Sequence, residues 1–166
     1  GDMLIHAGDA CSYGKREELR NFAQWFHRQD YKFKIFSPGN HDRHCEYDIE
    51  GARSMFNFPN IYYMFSQYLE INGLKIYAAP WQPEFYNWSF NLPRNGQQLK
   101  DAWDLIPENL DILITHGPPF GKLDFVARGN VGCELLAEAV DKKKPKYHVF
   151  GHIHEGYGVS VSGSTT

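Results

Sequence analysis

Four short apolar stretches of this chain each stop at a turn-forming residue, and side chains able to bind a metal or move a proton follow at once. Leu4-Ile5-His6-Ala7-Gly8 ends in Asp9, and Lys32-Phe33-Lys34-Ile35-Phe36 passes through Ser37-Pro38-Gly39 into Asn40-His41-Asp42-Arg43. Ile112-Leu113-Ile114-Thr115 ends in His116-Gly117, and His148-Val149-Phe150-Gly151 ends in His152-Ile153-His154. Short runs rich in β-branched and aromatic residues, closed by Gly or Pro, read as strands. The fold must therefore deliver chemistry from the carboxyl ends of these strands.

The segments between them alternate in type. Residues 15–29 carry Leu19, Phe22, Trp25 and Phe26 at helical spacing, residues 97–106 carry Leu99, Trp103 and Ile106, and residues 134–142 carry Leu135, Leu136, Ala139 and Val140. Lys142-Lys143-Lys144 closes the last of these as a solvated, dipole-compatible helix end. Residues 61–69 and 74–79 read as a hairpin joined through Asn72-Gly73. From Arg43 to Asn60 no period is sustained, which suggests a lid, and residues 158–161 read as a final strand. Phe85, Tyr86, Trp88 and Phe90 crowd a loop, either as satellite packing or as a ring platform beside a site. Strands alternating with helices, in a chain of 166 residues, predict a single α/β domain of layered sandwich type.

Charge and cysteine usage narrow the function. The formal net charge of -3 offers no polycation to track a nucleic-acid backbone, although a locally held phosphate is compatible with it. Cys11, Cys45 and Cys133 are widely spaced, which predicts neither a disulfide framework nor a thiolate zinc site and fits a reducing cytoplasm. No apolar run approaches the ~20 residues of a membrane span. The chain opens at Gly1-Asp2 and enters a strand-like run within two residues, as a fragment would.

Asp9, Asn40, His116 and His152 form an oxygen and nitrogen ligand set suited to divalent Mn, Fe, Zn or Mg. A carboxylate such as Asp9 can bridge two ions ~3.5–4 Å apart, the separation at which a pair polarises a phosphoryl group, and His154 can address the neighbouring ion. His41 is then free to donate a proton, with Asp42 holding its ring. His44 stands close enough in sequence to reach the rim and bind substrate, whereas His6, His27 and His148 read as structural. A lone Gly-Asp is usually a turn, and a lone His at a strand end is usually a satisfied polar residue. The conjunction at four strand ends carries the argument.

The blocks Leu4-Ile5-His6-Ala7-Gly8-Asp9, Gly39-Asn40-His41-Asp42, Ile114-Thr115-His116-Gly117-Pro118-Pro119, Gly132-Cys133-Glu134-Leu135-Leu136 and residues 148–158 resemble the calcineurin-like metallophosphoesterase superfamily. The resemblance is closest to its metallophosphoesterase-domain-containing phosphodiesterases. It implies an αββα layered sandwich of two mixed β-sheets flanked by helices, a centre of two divalent metal ions with manganese foremost, and hydrolysis of a small phosphodiester such as a cyclic nucleotide. By the same resemblance Asp9 is the bridging ligand, Asn40, His116 and His152 complete one metal and His154 serves the other. His41 is the proton donor with Asp42 its partner, and a metal-bridging hydroxide is the nucleophile. The family's opening Asp-x-His does not precede Gly1, and relatives continue past Thr166, so residues 1–166 are expected to lack the domain's first and last strands. The alternative is a nonhydrolytic nucleotide- or phosphate-binding protein with one metal site, and a nuclease is disfavoured by the charge.

Overall fold

The structure, a computed structural model, describes residues 1–163 and 165–166. One sheet is formed by β1 (Met3–His6), β2 (Phe33–Phe36) and β3 (Ile61–Tyr63), in that order and all parallel. A second is formed by β4 (Gln67–Ile71), β5 (Leu74–Ala79), β8 (Ile112–Thr115) and β11 (Tyr147–Val149), in the order β11-β8-β5-β4. Only the β4–β5 pair in it is antiparallel, so one sheet is mixed and the other is not. Short ladders join β6 (Gln82–Pro83) to β7 (Asn91–Leu92) and β9 (Phe125–Val126) to β10 (Gly129–Asn130). The helices are α1 (Arg16–His27), α2 (Arg43–Tyr47), α3 (Ile49–Met55), α4 (Gln97–Asp104) and α5 (Glu134–Lys143). No helix among the described residues is long and apolar enough to cross a membrane.

Strand periodicity sorts the side chains into three apolar layers. Met3, Ile5, Phe33 and Ile35 of the first sheet meet Ile76, Ala78 and Ile114 of the second, which fills the space between the sheets. On the other face of the first sheet, Leu4, Phe36 and Tyr63 pack against Leu19, Ala23 and Phe26 of α1 and against Cys45, Ala52 and Phe56. Beyond the second sheet, Tyr77, Ala79 and Leu113 pack against Leu99 and Trp103 of α4 and Leu136 of α5. The layers run helix, sheet, sheet, helix, which is the expected αββα sandwich. Lys34 breaks the apolar pattern of β2, yet it is buried because its ammonium donates to the carbonyls of His27 and Gln29, at 2.8 and 2.9 Å, at the end of α1.

Several local expectations are corrected. The run over residues 61–69 is two strands in two different sheets, divided at Met64 to Ser66, where Ser66 takes φ 46. Its second part does form the hairpin: Asn72 and Gly73 both adopt positive φ, 52 and 78, as a two-residue primed turn requires. Residues 43–60 are not a lid, because Cys45 of α2, Ala52 of α3 and Phe56 just after it are buried in the layer beneath α1. These helices are too short for a helical period to show in sequence. Residues 158–161 are exposed and form no strand, and no ladder among the described residues includes them.

The tips of β1 and β2 are joined by one carboxylate. Asp42 is fully buried, and its oxygens accept from the backbone N–H groups of Asp9 at 2.9 Å, Gly39 at 2.8 Å and Cys11 at 2.9 Å. Its assignment as the partner of the His41 ring is therefore corrected: the turns after β1 and β2 leave three N–H groups without ladder partners, and Asp42 turns inward to satisfy them. Burial raises its pKa, and the nearby Asp9 charge adds to that, while the donors of Gly39 and Cys11 act in the opposite direction. Two glycines permit the contact. A Cβ on Gly8, which has φ 102, would stand 2.5 Å from both Gly39 N and His116 Nδ1.

Asp42→Ala leaves these donors buried and unpaired, at a cost of ~1–3 kcal/mol each before relaxation. The expected result is a loss of about 3–5 kcal/mol in urea denaturation, with Asp42→Asn, which keeps one acceptor oxygen, less affected; an unchanged midpoint for Asp42→Ala would remove the staple. His148 of β11 supplies a pH-dependent test. Burial pushes its imidazole down to about 3, beside the Thr115 hydroxyl at 2.8 Å. The unfolded chain binds that proton first, so the contribution of His148 is full above the ordinary histidine range and is lost as pH falls toward the folded value. The slope of unfolding free energy against pH between about 6.5 and 4 should flatten by roughly one proton in His148→Gln.

Candidate metal centre

The ligand-bearing residues stand where the two sheets present their strand ends to each other. Asp9 follows β1, Asn40 follows β2, His116 follows β8 and His152 follows β11. The tips of β8 and β11 are tied by a 2.8 Å hydrogen bond from Gly151 N–H to the His116 carbonyl. Asp9 and His152 both hold left-handed backbone conformations, φ 61 and 71, each preceded by a glycine. Such conformations are uncommon outside glycine and asparagine and concentrate at functional sites. They turn a side chain out of the strand direction at its end.

His116 is the centre of the arrangement. Its Nδ1–H donates to the Ala7 carbonyl at 2.9 Å, which leaves Nε2 pointing at Asn40 Oδ1, 2.7 Å away, and at Asp9 Oδ1, 3.4 Å away. A ring nitrogen lone pair, an amide oxygen and a carboxylate oxygen thus converge on one point. Three acceptors repel unless a proton or a cation lies among them. Burial alone would lower the pKa of His116, but the hydrogen bond and charge of Asp9 prevail and hold it above the ordinary histidine range. Burial likewise opposes ionisation of Asp9, and His116 nevertheless keeps it below the usual carboxylate range.

His152 completes the group, its ring centroid 4.9 Å from that of His116. Ligand atoms of Asp9, His116 and His152 all lie within 4.8 Å of one another. Burial, reinforced by the charge of His116, pushes His152 down to about 4, so at neutral pH its lone pair is available without a competing proton. The set fits a divalent cation. It offers a carboxylate, a neutral amide oxygen and two imidazoles, with the His116 tautomer already set by its outer hydrogen bond. Asn40 turns its Oδ1 toward the site, and its Nδ2 is buried without a hydrogen-bond partner among the described residues.

His41 stands beside this group. Its backbone N–H donates to Asp9 Oδ1 at 2.9 Å, and its Nδ1 lies 2.8 Å from the Ser12 carbonyl, the partner that replaces Asp42. The ring packs on Trp88 with centroids 4.1 Å apart, and Arg43 covers Trp88 from 5.2 Å while donating to the Asn87 carbonyl. The loop bearing Trp88 is itself attached to the ligand loop, since Ser89 N–H donates to the Asn40 carbonyl at 3.3 Å.

Two predicted site residues are not brought into the cluster. His154 is exposed on the 3-10 turn His154–Gly156. His44, on α2, turns its Nε2 toward Asp48, 3.6 Å away. Of the contacts of His41, Trp88 belongs to the aromatic loop that the sequence offered as a ring platform, whereas Ser12 was missed. The density of aromatic residues over positions 85–90 was the available signal for Trp88, whereas a carbonyl such as that of Ser12 leaves no side-chain signal at all.

The model of the family described as calcineurin-like phosphoesterase matches residues 1–156. Metallophosphoesterase domain-containing protein 1 of Homo sapiens is 42% identical over 190 aligned residues, covering 100% of this chain and 58% of that protein. A UPF0046 protein of Caenorhabditis elegans is 38% identical, covering 99% of this chain and 49% of its own length. The chain thus spans about half of these relatives. A protein of known crystal structure, 21% identical, superposes with a TM-score of 0.68 over 90% of this chain and 61% of that one, a likeness of fold. The family model and the relatives both match nearly the whole chain, and this chain belongs to the calcineurin-like phosphoesterase family.

Proposed function

We propose that this chain carries the metal-binding core of a metal-dependent phosphodiesterase acting on a small phosphodiester, with a cyclic nucleotide among the candidate substrates. The observation that carries the reading is the convergence of Asp9 Oδ1, Asn40 Oδ1 and His116 Nε2 on one point, with His152 beside them. A divalent ion bound there, manganese foremost, supplies Lewis-acid polarisation of the phosphoryl oxygens and neutralises charge that develops on them. Asp9, Asn40, His116 and His152 hold and orient that ion, and the neutral Asn40 adds a ligand without further negative charge that would repel a phosphoester. His41 orients and protonates. With Nδ1–H donated to the Ser12 carbonyl, it is the imidazolium form of His41 that would pass its Nε2 proton to the leaving oxygen, the ring returning to the neutral Nδ1–H tautomer.

A dinuclear centre is part of this reading, in which Asp9 would help hold both ions and His154 would serve the second. One observation favours a rival, a phosphate or nucleotide binder with one metal: among the described residues the clustered side chains make up a single ligand set, and His154 stands outside it. Metal stoichiometry separates the two. A ratio of one ion per chain without hydrolysis of bis(p-nitrophenyl) phosphate supports the binder.

Asp9→Asn should lose bound metal and metal-dependent hydrolysis of bis(p-nitrophenyl) phosphate together, more severely than replacement of His152, because it removes the one negative charge among the four ligands. Mass-spectrometric metal analysis beside the rate checks this, and a fully loaded, fully active variant would sink the assignment. His41→Ala should keep its metal and lose ~10²- to 10⁴-fold in kcat. The loss should be smaller on p-nitrophenyl esters than on alkyl esters, whose leaving group needs the proton; equal losses on both would make His41 something other than the acid.

A further inference from the structure

The loop between β6 and β7 bears two aromatic side chains that the fold does not use. Phe85 and Tyr86 are 45% and 80% exposed, whereas Phe90 in the same loop is wholly buried and Trp88 is occupied by His41 and Arg43. Exposed rings are ordinary on a mobile tip. This loop is held at many points. Asn91 accepts from Phe85 N–H at 3.3 Å and donates through Nδ2 to the carbonyls of Phe85 and Tyr86, at 3.4 and 2.8 Å. Gln82 and Glu84 N–H groups donate to Phe90 and Leu92, and Phe90 N–H donates to Glu46 at 2.9 Å.

The backbone of this loop is also strained where it is most exposed. Tyr86 has φ 47, a left-handed conformation that a bulky residue seldom adopts, and the Asn91 bond to its carbonyl holds it there. The result is to pair Tyr86 with Phe85, edge to face at 4.7 Å, and to set Phe85 perpendicular to the ring of the metal ligand His152 at 5.4 Å. A solvent-exposed aromatic pair thus abuts a ligand of the candidate metal centre, on a loop anchored at Asn40, another of its ligands.

We infer that Phe85 and Tyr86 form a subsite for a planar ring in the organic part of the phosphoester, an aryl group or a nucleobase, and so set substrate preference. The inference rests on the phosphoesterase reading for where the phosphate sits. Its chemistry is general: an aromatic face held rigid in advance binds a planar ring with little ordering cost and without sequence-like hydrogen-bond readout. No charged side chain is needed. The phosphate is held at the metal centre, and the ring adds its stacking to that anchor.

The test compares ligands that differ only by the ring, binding to the metal-loaded protein measured by calorimetry. Phenylphosphonate is set against methylphosphonate, and adenosine 5′-monophosphate against ribose 5-phosphate, so that a directly attached ring and a ring carried on a sugar are distinguished. In at least one pair the ring should tighten binding by about tenfold, in line with stacking on an aromatic side chain. That ratio should fall toward one in Phe85→Ala and Tyr86→Ala and persist in Tyr86→Phe. Ratios near one in the parent protein with all four ligands bound, or ratios unchanged in both alanine variants, overturn the subsite and leave the metal centre standing. If no phosphate or phosphonate binds in a metal-dependent way, the phosphoesterase reading falls and the subsite falls with it.

Discussion

The carboxylate of Asp42 is the contact on which the candidate site depends. Buried beneath two turns, it satisfies the N–H groups of Asp9, Cys11 and Gly39 and so fixes the tip of β1 against the tip of β2. Without it, the backbone that presents Asp9 and Asn40 would have unpaired donors in a dry environment, and water would have to enter to satisfy them. The absence of side chains at Gly8 and Gly39 is the steric half of the same arrangement, because His116 lies against both. An interaction that touches no substrate thus sets the separation of the residues that would.

The second half of the site comes from a different sheet. His116 and His152 approach Asp9 and Asn40 because the layer of Ile5, Ile35, Ile76, Ala78 and Ile114 presses the two sheets together, and because the adjoining parallel strands end on the same side. The N–H to carbonyl bond between Gly151 and His116 joins the ends of β11 and β8, and the His116 ring joins the end of β8 to Ala7, just after β1. Hydrophobic burial supplies the force and these few polar bonds supply the register. The price of the arrangement is visible in the left-handed backbone at Asp9 and His152 and in three acceptor atoms held close together. A fold keeps such a repulsive group only when the surrounding packing over-determines it, and a cation relieves it directly.

Around that centre the loop between β6 and β7 acts on two residues. Trp88 holds the face of His41, and Phe85 meets His152, so one rigid loop lies against the proposed proton donor on one side and a candidate metal ligand on the other. A ring bound on Phe85 and Tyr86 would therefore report on the same loop that keeps His41 in place.

Much of this was legible in the residues alone. The strand-end pattern located Asp9, Asn40, His41, His116 and His152, because each follows an apolar run closed by glycine or proline or a β-branched residue, and period-two burial of those runs leads to a layered α/β fold. The hairpin at Asn72-Gly73 was legible for a local reason, the positive φ that both positions tolerate. Three-dimensional packing decided the rest. Asp42 could be read as an orienting group for its neighbour, yet unpaired N–H groups 3 and 33 positions away claimed it, and backbone demand of that kind has no sequence signature. His154 and His44 share the composition of ligands, but a tight turn and the Asp48 carboxylate direct them elsewhere. The sequence by itself determined which atoms could bind a metal and that they would stand at strand ends; only the tertiary structure decided which of them converge, because convergence depends on long-range contacts between two sheets that no local pattern encodes.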